Sequence, residues 1–335
     1  MTKQDSLLIK GLAILMMLFL HLFNSIENCN LASPLIMIGD VPLIFYLTRA
    51  CGPVPIFMFV SGLGLYISYK SSPQLFKKKN LKRLLKLYIH FWLILSIFLI
   101  IGHIFNPKLY PGSFIELVKN YSSIYYTYNS TYWFLAPYTL IALSSLYLFK
   151  IIDKMPNYLA LAIAYIINLC TSYIISRYGK LYLFDNVWAY TPILYFHLLF
   201  PFVLGVICVK TDFWGIIGIL KTKVKGYLLW FFLVLLTILR CLVATSAFHT
   251  IFVFFVIIIF VSAPKMRIIE NIFIKLGKHS MNMWFIHAWL YSYLLKDFIY
   301  GFKFPIAIFG VLIILSFTIS IVINWSLKPI VKYVK

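Results

Sequence analysis

Apolar stretches close to 20 residues long recur along almost the whole chain and are separated by short polar or basic segments. Continuous runs of this length suit helices that cross about 30 Å of hydrocarbon, whereas the strands of a transmembrane β-barrel alternate in hydrophobicity. The pattern therefore predicts an all-α, polytopic transmembrane helical bundle. Hydropathy places ten spans, at about 7–26, 51–69, 84–105, 132–150, 156–175, 191–209, 226–243, 247–263, 281–298 and 304–325.

Composition supports the same class and indicates a single domain. Of the 335 residues 62% are hydrophobic and 12% are charged, whereas a soluble domain carries about a quarter charged residues. We find no low-complexity linker and expect one integral membrane domain over residues 1–335. The first apolar segment lacks an A-x-A-like cleavage site, so we interpret it as a retained helix and not as a signal peptide.

The net charge of +21 is distributed as a topology signal. With the N-terminus in the cytoplasm, 22 of the Lys and Arg residues fall in inward segments and 8 in outward ones. Because basic residues concentrate in cytoplasmic loops, both termini are predicted to be cytoplasmic. This distribution argues against a nucleic-acid partner and leaves membrane lipids or a phosphorylated ligand as partners for the basic groups.

Lys10 and His21 lie in the first apolar segment, eleven residues apart. In a helix they share one face and are separated by roughly 16 Å along the axis. A histidine inside a membrane is costly and suggests function, although it can also join helices by hydrogen bonds. Lys10 alone would be a snorkelling anchor at the interface. Together the two residues predict a path from the cytoplasmic interface to a buried general base.

A second candidate cluster consists of Lys82, Arg83 and Lys86, at the start of the third predicted span. Arg83 and Lys86 are neighbours on one helix face. These side chains could hold the phosphate groups of a cytosolic ligand by charge-assisted hydrogen bonds. The alternative is the positive-inside bias alone.

The predicted outer segment 106–131 is rich in tyrosine. Aromatic belts at membrane interfaces explain such residues without a ligand, but flat rings also suit stacking against sugars. We take Tyr126, Tyr128 and Trp133 as candidate acceptor contacts, that is, contacts to a bound sugar, together with His287 in the ninth span.

His279 and His287 are eight residues apart, which is not a zinc spacing, so no metal site is predicted. Segment 27–50 is apolar but broken by Pro, Gly and Asp, and we expect a re-entrant or interfacial element on the outer face there, with an extra half-span as the alternative.

Five motifs in order resemble those of the membrane acyltransferase-3 family. KGLAILMMLFLH resembles its first-helix signature, in which a basic residue, usually arginine, precedes a histidine by eleven positions. FMFVSGLGLYIS resembles its FFxxSGxL motif, and the small residues Ser61, Gly62 and Gly64 in it permit close helix approach. KRLLKLY, YWFLAPYTLIALSSLYL and LGKHSMNMWFIH resemble its RxxRxx(Y/P), WFL and LGxxSYxxYLxH motifs.

The resemblance implies an integral membrane O-acyltransferase of a bacterial plasma membrane. It implies that cytosolic acyl-CoA, commonly acetyl-CoA, is the donor substrate, that no cofactor is permanently bound, and that the acceptor is a hydroxyl of a surface glycan or a lipid-linked sugar. Lys10, Lys82, Arg83 and Lys86 would hold the donor phosphates, and His21 would act as general base or form an acyl-His intermediate. The rivals are a transporter or exporter of polysaccharide or small solute, and a structural scaffold. A coupled transporter usually has more buried charge than this chain shows.

Overall fold

The computed structural model describes residues 1–333, with the side chains of 219–223 left out, so the last two residues of the predicted domain lie outside it. The α-helices are α1 (Lys3–Phe23), α2 (Ile26–Asn30), α3 (Leu43–Thr48), α4 (Pro53–Ser71), α5 (Phe76–Phe105), α6 (Phe114–Tyr121), α7 (Leu135–Lys154), α8 (Asn157–Tyr178), α9 (Val187–Lys210), α10 (Phe213–Lys223), α11 (Gly226–Leu242), α12 (His249–Ser262), α13 (Arg267–Ala288), α14 (Lys296–Gly301) and α15 (Pro305–Lys332). A hairpin of β1 (Met37–Ile38) and β2 (Val41–Pro42), a 3₁₀ turn at Ser130–Phe134 and π-helical turns at Gly179–Leu183 and Trp289–Leu294 complete the described structure.

The helices confirm an all-α membrane protein. Among the described residues, seven helical segments are long and apolar enough to cross a membrane. The seventh and eighth predicted spans correspond to α11 and α12, which have 17 and 14 residues. A helix of 14 residues covers only about 21 Å. α12 therefore has the apolar composition of a membrane span but is short for one. The number of spans and the side of the termini stay predictions.

The chain packs into two compact units. Unit 1 comprises residues 1–57 and 215–327, and unit 2 comprises residues 58–214 with the C-terminal residues from Lys328. The single domain expected from the sequence stays a prediction.

In unit 1, α1 and α13 touch backbone to backbone. A Cβ added at Gly11 would overlap the carbonyl oxygen of Phe273, and a Cβ at Gly277 would overlap that of Leu7. Such contacts require glycine, as in other closely packed membrane helices. Ten residues beyond Gly11 and Gly277 lie the two histidines of the candidate site, so the helices run in the same direction.

The segment after α1 covers the C-terminal end of that helix. It forms α2, the β1–β2 hairpin and α3, and both short helices pack against α1. The Tyr300 hydroxyl donates a hydrogen bond of 2.9 Å to the carbonyl of Leu22. This carbonyl is in the last turn of α1, where carbonyl groups have no N–H partner within the helix. Short elements in place of a long helix are consistent with the interfacial element expected at 27–50.

In unit 2, α4 and α9 also approach closely. A Cβ at Gly62 would overlap the carbonyl oxygen of Phe202, and a Cβ at Gly205 would overlap that of Phe59. The predicted close approach at Gly62 is therefore confirmed. Gly64 faces open space, with no atom within 4 Å of an added Cβ.

Candidate active site

His21 and His287 form the centre of the candidate site in unit 1. His21 lies in the last turn of α1, and His287 lies in the last turn of α13. Their ring centroids are 5.0 Å apart and the rings are tilted by 45°. His21 is partly buried, whereas His287 has no exposed surface. The close packing of the two helices therefore brings two imidazoles together at the covered end of α1.

The protonation of His287 is set by its own helix. Its Nδ1 lies 2.7 Å from the carbonyl oxygen of Trp284. Because a carbonyl can only accept, Nδ1 carries the proton and the neutral ring keeps a lone pair on Nε2. Nε2 is buried and has no hydrogen-bond partner in the described part of the chain. A buried polar atom without a partner is rare and costly, so this acceptor is ready for a donor supplied by a ligand or by His21.

Tyr291 is a third ring in this centre. Its centroid lies 6.3 Å from that of His21 and 5.9 Å from that of His287, and it is nearly parallel to both. Sequence reasoning missed Tyr291. The signal was present, because His287 and Tyr291 are four residues apart and therefore lie on one helix face.

Lys10 lies on the same helix as His21. The helix is continuous from Lys3 to Phe23, so the two side chains share a face as the spacing predicted. Lys10 is partly buried, although its neighbours Leu8, Ile9 and Gly11 are buried. His21 differs from the expectation in one respect: it stands near the end of its helix and is covered by the segment that follows, whereas the hydropathy pattern placed it well inside a span.

His279 belongs to a different contact from His287. Its Nδ1 lies 2.9 Å from the Ser320 hydroxyl and 3.1 Å from the Asn324 amide nitrogen, both on α15. Asn282 extends this network with a bond of 3.0 Å to Asn324. These bonds join α13 to α15 and account for His279 as a residue that stabilises the helix pair.

In unit 2 the three residues of the predicted basic cluster have different surroundings. Lys82 lines an open surface groove of about 550 Å³ together with Lys77 and Lys78. Arg83 is exposed and donates a hydrogen bond of 2.9 Å to the Tyr138 hydroxyl on α7. Lys86 is partly buried, and the structure records no bonded partner for it among the described residues. The cluster thus contains one side chain in the groove, one oriented by a tyrosine and one ammonium open to a ligand.

The tyrosine-rich loop of unit 2 contains both core and accessible rings. Tyr128 is only 3% exposed and its hydroxyl donates to the carbonyl of Pro111. It therefore holds the loop together and offers no open face to a sugar, which corrects its place among the acceptor contacts. Tyr126 and Trp133 are partly exposed, and burial raises the pKa of the Tyr126 hydroxyl.

The fold and the histidine pair together define a multi-pass membrane protein with a centre suited to proton transfer. The sequence model of the acyltransferase-3 family, described as an acyltransferase domain, matches residues 7–325. Because the match covers nearly the whole chain, the protein belongs to this family and is a membrane acyltransferase. No curated protein and no solved structure matches the sequence.

Proposed function

We propose that the protein is an O-acyltransferase of the plasma membrane that moves an acyl group, acetyl in the first instance, from cytosolic acyl-CoA to a hydroxyl of a cell-surface or lipid-linked glycan. The observation that carries the proposal is the His21–His287 pair, with centroids 5.0 Å apart and an unpartnered Nε2 on His287. A hydroxyl nucleophile needs a base beside it, and a neutral imidazole is the side chain best matched to that role near neutral pH.

In the proposed step, His21 takes the proton of the acceptor hydroxyl while the oxygen attacks the thioester carbonyl. The carbon–sulfur bond then breaks, and the leaving thiolate takes the proton from the His21 imidazolium to give free coenzyme A. An acyl-His21 intermediate followed by transfer to the hydroxyl gives the same products. General base catalysis of this kind is worth about 10²–10⁴-fold in rate.

His287 is assigned a positioning role. With Nδ1 fixed by Trp284, its Nε2 can accept a hydrogen bond from an N–H of His21. Such a bond would orient the His21 ring and leave its other nitrogen directed at the hydroxyl. The stacked ring of Tyr291 limits the rotation of both imidazoles.

Each unit contains basic residues that are candidate contacts for the phosphate groups of the donor. Lys10 in unit 1 lies about two helical turns from the start of α1, which is the end predicted to be cytoplasmic, and the predicted path from Lys10 to His21 is roughly 16 Å long. Lys82, Arg83 and Lys86 in unit 2 offer the charges and the guanidinium fork that phosphates require. For the acceptor, the partly exposed rings of Tyr126 and Trp133 are the candidate sugar contacts.

The proposal is tested with the purified full-length protein in detergent. Incubation with acetyl-CoA and candidate glycans should release free thiol and transfer the labelled acetyl group. His21→Ala should abolish both signals, and His103→Ala is the matched control, because His103 is an exposed histidine of unit 2. Full activity of His21→Ala would contradict the mechanism. Glycan transport by the wild type reconstituted in sealed vesicles, without thiol release, would instead favour the transporter.

A further inference from the structure

Two arginines meet at a second polar cluster in unit 1. Arg49 follows α3, and its Nη1 donates a hydrogen bond of 3.0 Å to the carbonyl of Cys241, at the end of α11. Arg240 lies in the last turn of α11 and its Nε contacts the Nδ1 of His249 at 3.3 Å. A Cβ added at Gly52 would lie 3.1 Å from the Nε2 of His249. The segment that carries Arg49 thus passes directly beside the group that Arg240 contacts.

The charge of this cluster is not compensated. In the part of the chain that the structure describes, neither Arg49 nor Arg240 forms an ion pair with a carboxylate. Their recorded partners are backbone carbonyls, a histidine ring and, for Arg49, the face of Tyr46 at 4.8 Å. Both side chains are partly buried. Each guanidinium has five N–H donors, so donors remain for a ligand after these contacts are made.

Two features of Arg49 and Arg240 favour an anionic ligand: both residues are arginine, and both are predicted to lie on the outer side of the membrane. Arginine makes up five of the 30 basic residues of this chain, and two of the five converge here. The predicted topology places both on the outer side, where basic residues are disfavoured. The two arginines do bind carbonyls at the end of α11, as basic residues often do at helix C-termini. Lysine, the common cation of this chain, would serve that purpose equally, whereas only arginine offers a planar fork for an oxyanion.

The cluster lies at the same end of unit 1 as the histidine pair. α3 and α12 both pack against α1. α12 ends at Ser262, and four residues connect it to α13, whose first half packs against Gly11. The beginning of α12, with His249, is therefore directed towards the C-terminal end of α1, where His21 lies.

We infer that Arg49 and Arg240 form an anion-binding site for the acceptor, and that the acceptor carries a phosphate or carboxylate group. This inference rests on the proposed function, and it narrows the acceptor class from any glycan to an acidic or phosphate-linked one. Two guanidiniums without a protein counter-ion bind such a group by charge-assisted hydrogen bonds. A neutral sugar would leave the cluster uncompensated.

The test compares three soluble probes on the full-length protein in phosphatidylcholine nanodiscs: glucose 1-phosphate, glucuronate and glucose. Binding is measured by titration calorimetry for the wild type, for Arg49→Gln/Arg240→Gln and for Arg177→Gln. Arg177 is the matched control, because it is an exposed arginine of unit 2. A second set of nanodiscs contains phosphatidylglycerol and shows whether a lipid headgroup competes for the site.

We expect the wild type to bind at least one anionic probe and to bind glucose about tenfold or more weakly. The double glutamine variant should lose this preference and still bind acetyl-CoA, and Arg177→Gln should behave as the wild type. Equal binding of glucose and the anionic probes, or an unchanged preference in the double variant, would refute the site. If the double variant does not fold, the wild-type comparison decides.

The two proposals fail in different ways. Anion binding without thiol release from acetyl-CoA would reject the acyltransferase mechanism and keep the site. Thiol release and acyl transfer with no preference for anionic probes would reject the site and keep the mechanism. Competition by phosphatidylglycerol would show that a lipid headgroup fills the site and would overturn its assignment to the acceptor.

Discussion

Replacing Gly277 with Ala tests whether the packing of α1 on α13 sets the activity. The new Cβ would lie 2.8 Å from the carbonyl carbon of Leu7 and 3.1 Å from the amide nitrogen of Gly11, and it would overlap the Leu7 carbonyl oxygen. All of these are backbone atoms, so no side chain can rotate away. The two helices must move apart at this point.

The size of the effect follows from these contacts. Relief of an overlap with backbone requires a displacement on the order of 1 Å, and overpacking of this kind costs about 1–3 kcal/mol of stability. His287 lies ten residues further along the displaced helix, opposite His21. A misplacement of about 1 Å between reacting groups can cost about 10²-fold in rate. We therefore expect kcat to fall by about that factor.

The assay is acetyl-CoA-dependent thiol release at saturating substrate, with thermal unfolding in detergent measured in parallel. Gly310→Ala is the matched control, because Gly310 lies in a helix of the same unit and an added Cβ there has no atom within 4 Å. It should keep both activity and stability. If Gly277→Ala folds and keeps the wild-type kcat, the distance between His21 and His287 does not limit the reaction and the reasoning is wrong.

Three further predictions concern single groups. Arg83→Gln should raise the KM for acetyl-CoA about tenfold, with a smaller change in kcat. Tyr138→Phe should raise this KM less, because the variant keeps Arg83 and loses the hydroxyl that orients it. An unchanged KM in Arg83→Gln would exclude Arg83 from donor binding. Lys10→Arg should bind acetyl-CoA at least as tightly as the wild type because arginine offers a bidentate contact, and weaker binding than in Lys10→Ala would contradict the phosphate role. His287→Gln keeps a hydrogen-bond acceptor and should retain more kcat than His287→Phe, whereas equal losses would indicate that His287 must itself take a proton from His21.

Helical periodicity was sufficient to predict the face shared by Lys10 and His21. Both residues lie on one continuous helix, so their relation depends only on 3.6 residues per turn. The partner of His21 could not be derived in the same way, because the pairing of α1 with α13 depends on glycines 266 residues apart in sequence. The late motif did include His287, but the sequence assigned it to the acceptor because no local signal shows that His21 is its neighbour.

The tyrosine-rich loop shows the limit of composition. The number of aromatic residues predicts a ring-lined surface but not which rings fold inward. Tyr110, Tyr128 and Tyr132 are each at most 3% exposed, because loop packing and bonds such as that from Tyr128 to Pro111 bury them. Tyr126 and Trp133 remain partly exposed. The difference arises from contacts within the folded loop, which no pattern along the chain encodes.

In the proposed mechanism, two adjacent histidines serve proton transfer better than one. Two imidazolium charges with centroids 5.0 Å apart would repel each other in apolar surroundings, so the pair holds at most one extra proton. Trp284 already fixes a proton of His287 on Nδ1, and the lone pair on its Nε2 is therefore available as a hydrogen-bond acceptor. In the proposed reaction the extra proton resides on His21 until the leaving thiolate takes it, and a hydrogen bond from the His21 imidazolium to Nε2 of His287 would stabilise its charge. A second histidine placed to accept this hydrogen bond would keep the proton at the centre, where the proposed next step needs it.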